Sequence, residues 1–113
     1  MKTLLLVLES EEMRTTLEDA LRHDFTVNVC RGDAISSELA RIQYDVMLLD
    51  LCLAGTDGFA ILEEVKDQLP PIVVLFTSYI DESVIQQADE YGVACLIRIP
   101  CSASSVVRHL HNV

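Results

Sequence analysis

The stretch Tyr44-Asp45-Val46-Met47-Leu48-Leu49-Asp50-Leu51-Cys52-Leu53-Ala54-Gly55-Thr56-Asp57-Gly58 decides the fold. Residues 46–49 are apolar without alternation, the pattern of a strand buried on both faces of a parallel sheet. Asp50 ends that run, and a loop carrying Gly55 and Gly58 follows it. A carboxylate at the carboxyl end of a buried parallel strand sits where open α/β sheets place their chemistry. The plainer alternative is that Asp50 only caps its loop.

Outward from this stretch, short apolar runs alternate with amphipathic ones. Strands are expected over 3–8, 25–30, 45–50, 71–77 and 94–99. Helices are expected over 11–22, 33–43, 57–68, 81–91 and 103–111. Ser10, Asp33 and Asp81 stand where a helix N-cap is wanted. Gly92 provides a helix stop, and Pro70-Pro71 close the third helix. Five β-α units in strict alternation predict an α/β fold, a parallel sheet with helices on both faces.

The chain has 113 residues, the size of one domain. With 18 acidic and 8 basic residues its net charge is −10. Such a surface repels phosphate backbones and anionic lipids, which argues against direct nucleic-acid or membrane binding. The apolar run after Met1-Lys2-Thr3 is too short for a secretory signal, so a cytoplasmic location is expected. Cys30, Cys52, Cys95 and Cys101 form no C-x-x-C pair, and a metal-thiolate centre is not expected. Residues 1–113 read as a single domain, to which an output domain beyond Val113 is compatible.

The strand ends collect a specific set of groups. Strand one runs out at Leu8-Glu9-Ser10-Glu11-Glu12, strand three at Asp50, strand four at Thr77-Ser78, and strand five at Arg98-Ile99-Pro100. In doubly wound sheets the first, third and fourth strands neighbour the switch point, so Glu9, Asp50 and Thr77 are expected to converge. Two carboxylates beside a loop carbonyl suit Mg²⁺, a hard cation that prefers oxygen ligands and keeps several waters. Beside such a cation a carboxylate can attack phosphorus. Singly, each residue is as readily structural; in register, the three make a site.

These residues resemble the response regulator receiver domain of two-component signalling. The resemblance spans essentially the whole chain. It is strongest over residues 44–51 with Asp57-Gly58, then Val74-Leu75-Phe76-Thr77-Ser78, then 92–100. It implies a flavodoxin-like (βα)5 fold with a doubly wound five-stranded parallel sheet in the order 2-1-3-4-5. It implies that Asp50 accepts a phosphoryl group from a histidine kinase or phosphotransfer protein. Thr77 would contact a phosphoryl oxygen, and Glu9, Asp50 and the Cys52 backbone carbonyl would hold a weak Mg²⁺. It further implies a fused output domain, and a homodimer through the face of the fourth helix, fifth strand and fifth helix.

The chain departs from the family pattern at four places. Leu8 replaces the first of two acids after strand one. Ile99 replaces the lysine of a Lys-Pro pair, leaving Pro100; Arg98 is one position off and points to the other face. Leu96 replaces a rotating aromatic. Leu53-Ala54 replaces Met-Pro after the aspartate. Two readings therefore stand: a phosphoacceptor receiver with weakened chemistry, or a phosphorylation-independent pseudo-receiver that serves as a docking or dimerisation module. An independent enzyme is disfavoured, because Glu9-Ser10-Glu11-Glu12 is anionic where a phosphate loop would be needed.

Overall fold

A computed structural model describes residues 1–53 and 55–111. Ala54, Asn112 and Val113 lie outside the described residues, so the Leu53-Ala54 replacement is described at Leu53 alone.

Five strands, β1 (Lys2–Val7), β2 (Phe25–Val29), β3 (Val46–Asp50), β4 (Ile72–Thr77) and β5 (Cys95–Arg98), form one parallel sheet. Their order is β2-β1-β3-β4-β5, as expected. Five helices connect or follow them: α1 (Glu11–Leu21), α2 (Ile35–Arg41), α3 (Gly58–Glu64), α4 (Glu82–Glu90) and α5 (Ala103–His111).

Strand alternation sorts the core into two layers. Leu4, Leu6, Leu8, Leu48, Phe76 and Ile97 pack with Leu17 and Leu21 of α1 and with Val106 and Leu110 of α5. Leu5, Val7, Met47, Leu49 and Leu75 pack with Ile35 of α2, with Ile61 and Leu62 of α3, and with Ala88 of α4. Every residue of β3 is buried, which explains its unbroken apolar run. Strand β2 lies at the sheet edge and is only partly buried, which its mixed sequence Phe-Thr-Val-Asn-Val accommodates.

The caps at Ser10 and Asp81 form as expected: Ser10 Oγ accepts the Met13 N–H at 3.2 Å, and Asp81 Oδ1 accepts the Val84 N–H at 2.9 Å. Asp33 does not cap α2. It lies inside a 3-10 turn over Gly32–Ala34, and Ala34 precedes the helix without a side-chain cap. A 3-10 turn satisfies the first donors through i→i+3 bonds, here Ala34 N–H to the Arg31 carbonyl at 3.0 Å. Helix α3 is shorter than expected. It begins after Asp57, whose Oδ1 accepts the Phe59 N–H at 3.0 Å, and closes at Val65 well before Pro70-Pro71.

Gly58 has a packing reason. A Cβ there would lie 2.7 Å from Leu51 Cα, so only glycine lets α3 start against the chain just past Asp50. Gly92, at φ +69°, ends α4 in the left-handed region. Both glycines serve placement: one seats the loop after β3, the other turns the chain into β5.

Candidate functional site

Asp50 is 4% exposed, at the carboxyl end of β3. Its carboxylate is gripped by two backbone donors. Glu9 N–H donates to Oδ2 at 3.2 Å, and Cys52 N–H donates to Oδ1 at 2.8 Å. A buried carboxylate needs such partners, and N–H groups aimed at it stabilise its charge without a cation. The chain after β3 folds back tightly: Leu51 N–H reaches the Phe76 carbonyl at 2.8 Å, and Gly58 N–H reaches the Leu51 carbonyl at 3.2 Å. The two nearest loops thus meet at Asp50 through the backbone, which any sequence can supply.

Glu9 is exposed and follows β1, while Leu8 is 3% exposed and belongs to the α1/α5 core layer. The β1–β3 register, with Val7 beside Leu49, carries on to put Leu8 next to Asp50. Leu8 therefore serves core packing. Across the sheet, β4 and β5 pair regularly, Phe76 with Ile97 and Thr77 with Arg98. Ile99 lies two residues past Ile97 and packs on the same α1/α5 layer. Arg98 is exposed and belongs to the opposite face. The side of Asp50 that faces β5 is accordingly apolar. Ile99 also borders an open cleft of about 530 Å³ between the start of α1 and the start of α5, lined by Ser10, Glu12, Met13, Ser78 and Pro100 among others.

Thr77 is 4% exposed, and its hydroxyl is committed to its own loop. It donates to the Tyr79 carbonyl at 3.1 Å and accepts the Tyr79 N–H at 3.2 Å. Tyr79 itself is 63% exposed. Leu96 pairs with Leu75 in register and packs in the α2/α3/α4 layer.

Among the described residues, no three Asp, Glu, His or Cys side chains gather as a metal cluster. The donors that remain are two carboxylates, Glu9 and Asp50, with the Cys52 carbonyl in the adjoining loop. These are hard oxygen donors, and they fit a Mg²⁺ that keeps most of its water. Leu8 supplies none. The four cysteines are free thiols; burial pushes Cys95 and Cys101 above the usual range, and lifts Cys30 to about 11, with Glu38 and Asp33 adding to it.

Two features escaped the sequence reading. One is the pair of backbone donors on Asp50, which no side-chain pattern encodes. The other is Arg14, whose Nη1 donates to the Leu8 carbonyl at 3.2 Å. Its signal was spacing alone: an arginine one helical turn past the Ser10 cap, within reach of the end of β1.

A five-stranded parallel sheet in this order is the flavodoxin-like arrangement, and here a buried aspartate ends its middle strand. Residues 4–111 match the response regulator receiver domain, and the chain belongs to that family. It is 40% identical over 69 residues to the response regulator protein VraR of Staphylococcus saprophyticus, covering 60% of this chain and 33% of that protein. It is 36% identical over 75 residues to the transcriptional activator protein PfeR of Pseudomonas aeruginosa, covering 64% of this chain and 25% of that protein. The chain thus spans about a third or less of these relatives. The BeF3-activated N-terminal receiver domain of Klebsiella pneumoniae RstA superposes with a TM-score of 0.82 at 27% identity, covering 97% of this chain and 96% of that one. The chemotaxis response regulator CheY4 of Vibrio cholerae, at 18% identity, shares the fold with a TM-score of 0.87, covering 99% and 98%. Receiver domains are typically phosphorylated on an aspartate and typically bind Mg²⁺ at their acidic site. No helix among the described residues is long and apolar enough to cross a membrane.

Proposed function

We propose that this receiver domain accepts a phosphoryl group on Asp50, with chemistry weakened by Leu8 and Ile99. One observation carries the reading: a carboxylate 4% exposed at the end of β3, held by N–H groups on both oxygens. Among the described residues each oxygen accepts one hydrogen bond, which leaves a lone pair for attack. An Asp50 oxygen attacks phosphorus of a phosphohistidine on a histidine kinase or phosphotransfer protein. The phosphorus–nitrogen bond breaks, the imidazole leaves with that electron pair and takes up a proton, and an acyl phosphate remains on Asp50.

Glu9, Asp50 and the Cys52 carbonyl would hold Mg²⁺, which supplies charge neutralisation at the phosphoryl oxygens when bound. The new group brings about −1.5 to −2 charges at pH 7. It meets Glu9, with Glu11 and Glu12 in the first turn of α1, and no lysine at position 99. Slow formation and a short-lived adduct follow. Thr77 serves the adduct by turning its hydroxyl from the Tyr79 carbonyl to a phosphoryl oxygen. The same reading carries a cytoplasmic location, a fused output domain, and pairing of two copies through the α4–β5–α5 face.

The test is intact mass after incubation with Mg²⁺ and a small acyl phosphate, beside amide shifts with beryllofluoride. A gain of one phosphoryl group, lost in Asp50→Ala, supports the reading. No adduct and no shift near Asp50 would leave the domain a phosphorylation-independent docking module.

A further inference from the structure

We infer that Arg14 is a positioning residue for Asp50 and acts on it through the Leu8–Glu9 peptide; the inference rests on Asp50 being the phosphoacceptor. Two hydrogen bonds meet on that single peptide unit. Arg14 Nη1 donates to its carbonyl oxygen at 3.2 Å, and its N–H donates to Asp50 Oδ2 at 3.2 Å. The bond is trans, so carbonyl and N–H point in opposite directions. The guanidinium therefore sits at the negative end of the peptide dipole and the carboxylate at its positive end. Hydrogen bonds in such a chain polarise one another, and each strengthens its neighbour. The guanidinium charge is thereby brought to bear on Asp50 at one remove.

The relay is held from several sides. Leu8 is 3% exposed, and the core layer that holds it includes Leu17 and Leu21 of α1. The start of the same helix is fastened by the Ser10 cap and by the Arg14 N–H to the Ser10 carbonyl at 2.9 Å. Arg14 is half-buried, so its guanidinium works in a medium less screened than open water. The arrangement matters in this chain because Ile99 presents no charge on the other flank and three acids, Glu9, Glu11 and Glu12, crowd the end of β1. Arg14 neither replaces a direct contact to the phosphoryl group nor touches Asp50. It orients and polarises the donor that does.

Arg14→Met keeps the aliphatic stem and removes the charge; Arg14→Lys restores a charge without the planar fork. Two readouts apply to both variants in the intact chain: the Glu9 amide shift by NMR, and the rate of adduct formation with a small acyl phosphate and Mg²⁺. Arg14→Met is expected to move the Glu9 amide proton upfield and slow the adduct about tenfold, the size of losing one charge-assisted interaction. The urea midpoint should fall only slightly, as for one lost hydrogen bond, and Arg14→Lys should recover most of both effects. An unchanged Glu9 amide in Arg14→Met overturns the inference. So does a perturbation spread along α1 with a strongly lowered midpoint and no rescue by lysine, which marks a helix-start role alone. If the parent chain forms no adduct, the Asp50 assignment fails by itself, and the Glu9 amide shift still decides whether the relay exists.

Discussion

Asp45 and Asp50 stand at the two ends of β3, and each reaches across to β1. Asp45 Oδ2 accepts the Thr3 N–H at 2.9 Å; Asp50 Oδ2 accepts the Glu9 N–H at 3.2 Å. Their settings differ. At the amino end Asp45 too is held by a peptide N–H, and it is Glu38 and Arg41 that satisfy one another. Arg41 pairs with Glu38 at 2.8 Å, Tyr44 donates its hydroxyl to Glu38 at 2.6 Å, and Asn28 donates to the Tyr44 oxygen at 3.0 Å. At the carboxyl end the carboxylate is more deeply buried and is held by neutral N–H groups between Leu8 and Ile99. Glu38, tied to a cation, is spent on structure. Asp45 and Asp50 are both held by peptide donors, and what sets Asp50 apart is its deeper burial at the carboxyl end of the strand.

The strongest way to break this contrast is Leu8→Asp, which gives the carboxyl end a third acid. It should raise Mg²⁺ affinity, read by titration of amide shifts. It should also cost about 3 kcal/mol by urea unfolding, since a buried leucine of the α1/α5 layer becomes a charge. Unaltered stability would mean that Leu8 contributes nothing to that layer. Next in size is Ile99→Lys, which puts a cation on the apolar flank. Adduct formation on Asp50 should quicken about tenfold by intact mass, the scale of one charged hydrogen bond. A rate no faster than the parent would show that the apolar flank is not what limits the chemistry.

At the amino end, Tyr44→Phe should cost about 1 kcal/mol for the lost buried hydrogen bonds. It also carries a pH signature. Burial first, then the bond to Glu38, lifts the Tyr44 hydroxyl from about 10 to about 12. The folded state therefore holds this proton more tightly than the unfolded chain does. Its contribution is complete below about pH 10 and fades as pH climbs towards about 12. The parent should lose stability over that window faster than Tyr44→Phe, measured by unfolding at a series of pH values. The smallest effect is Thr77→Val. It removes both bonds to the exposed Tyr79, costs about 0.5 kcal/mol, and should speed amide exchange at Tyr79 while leaving the amino end untouched.

Much of this molecule was legible in its residues. The apolar run into Asp50 determined a strand buried on both faces, and five such alternations determined a parallel sheet, because periodicity records which faces meet water. Caps at Ser10 and Asp81 and the stop at Gly92 were legible too, since each answers a local need of the backbone. Asp33 was not: its acid suits a cap, but it lies inside a 3-10 turn, and the helix starts beyond it. Asp50, Leu8 and Ile99 were all visible as residue types. What only the tertiary structure decided is how they are surrounded. Leu8 and Ile99 share one layer with α1 and α5, Thr77 is tied to Tyr79, and Asp50 is gripped by the N–H groups of Glu9 and Cys52. Backbone donors belong to every residue alike, so no sequence marks which of them will be aimed at a carboxylate. That choice is made when β1 and β3 come into register and the peptide between Leu8 and Glu9 is turned, with Arg14 behind it, towards Asp50.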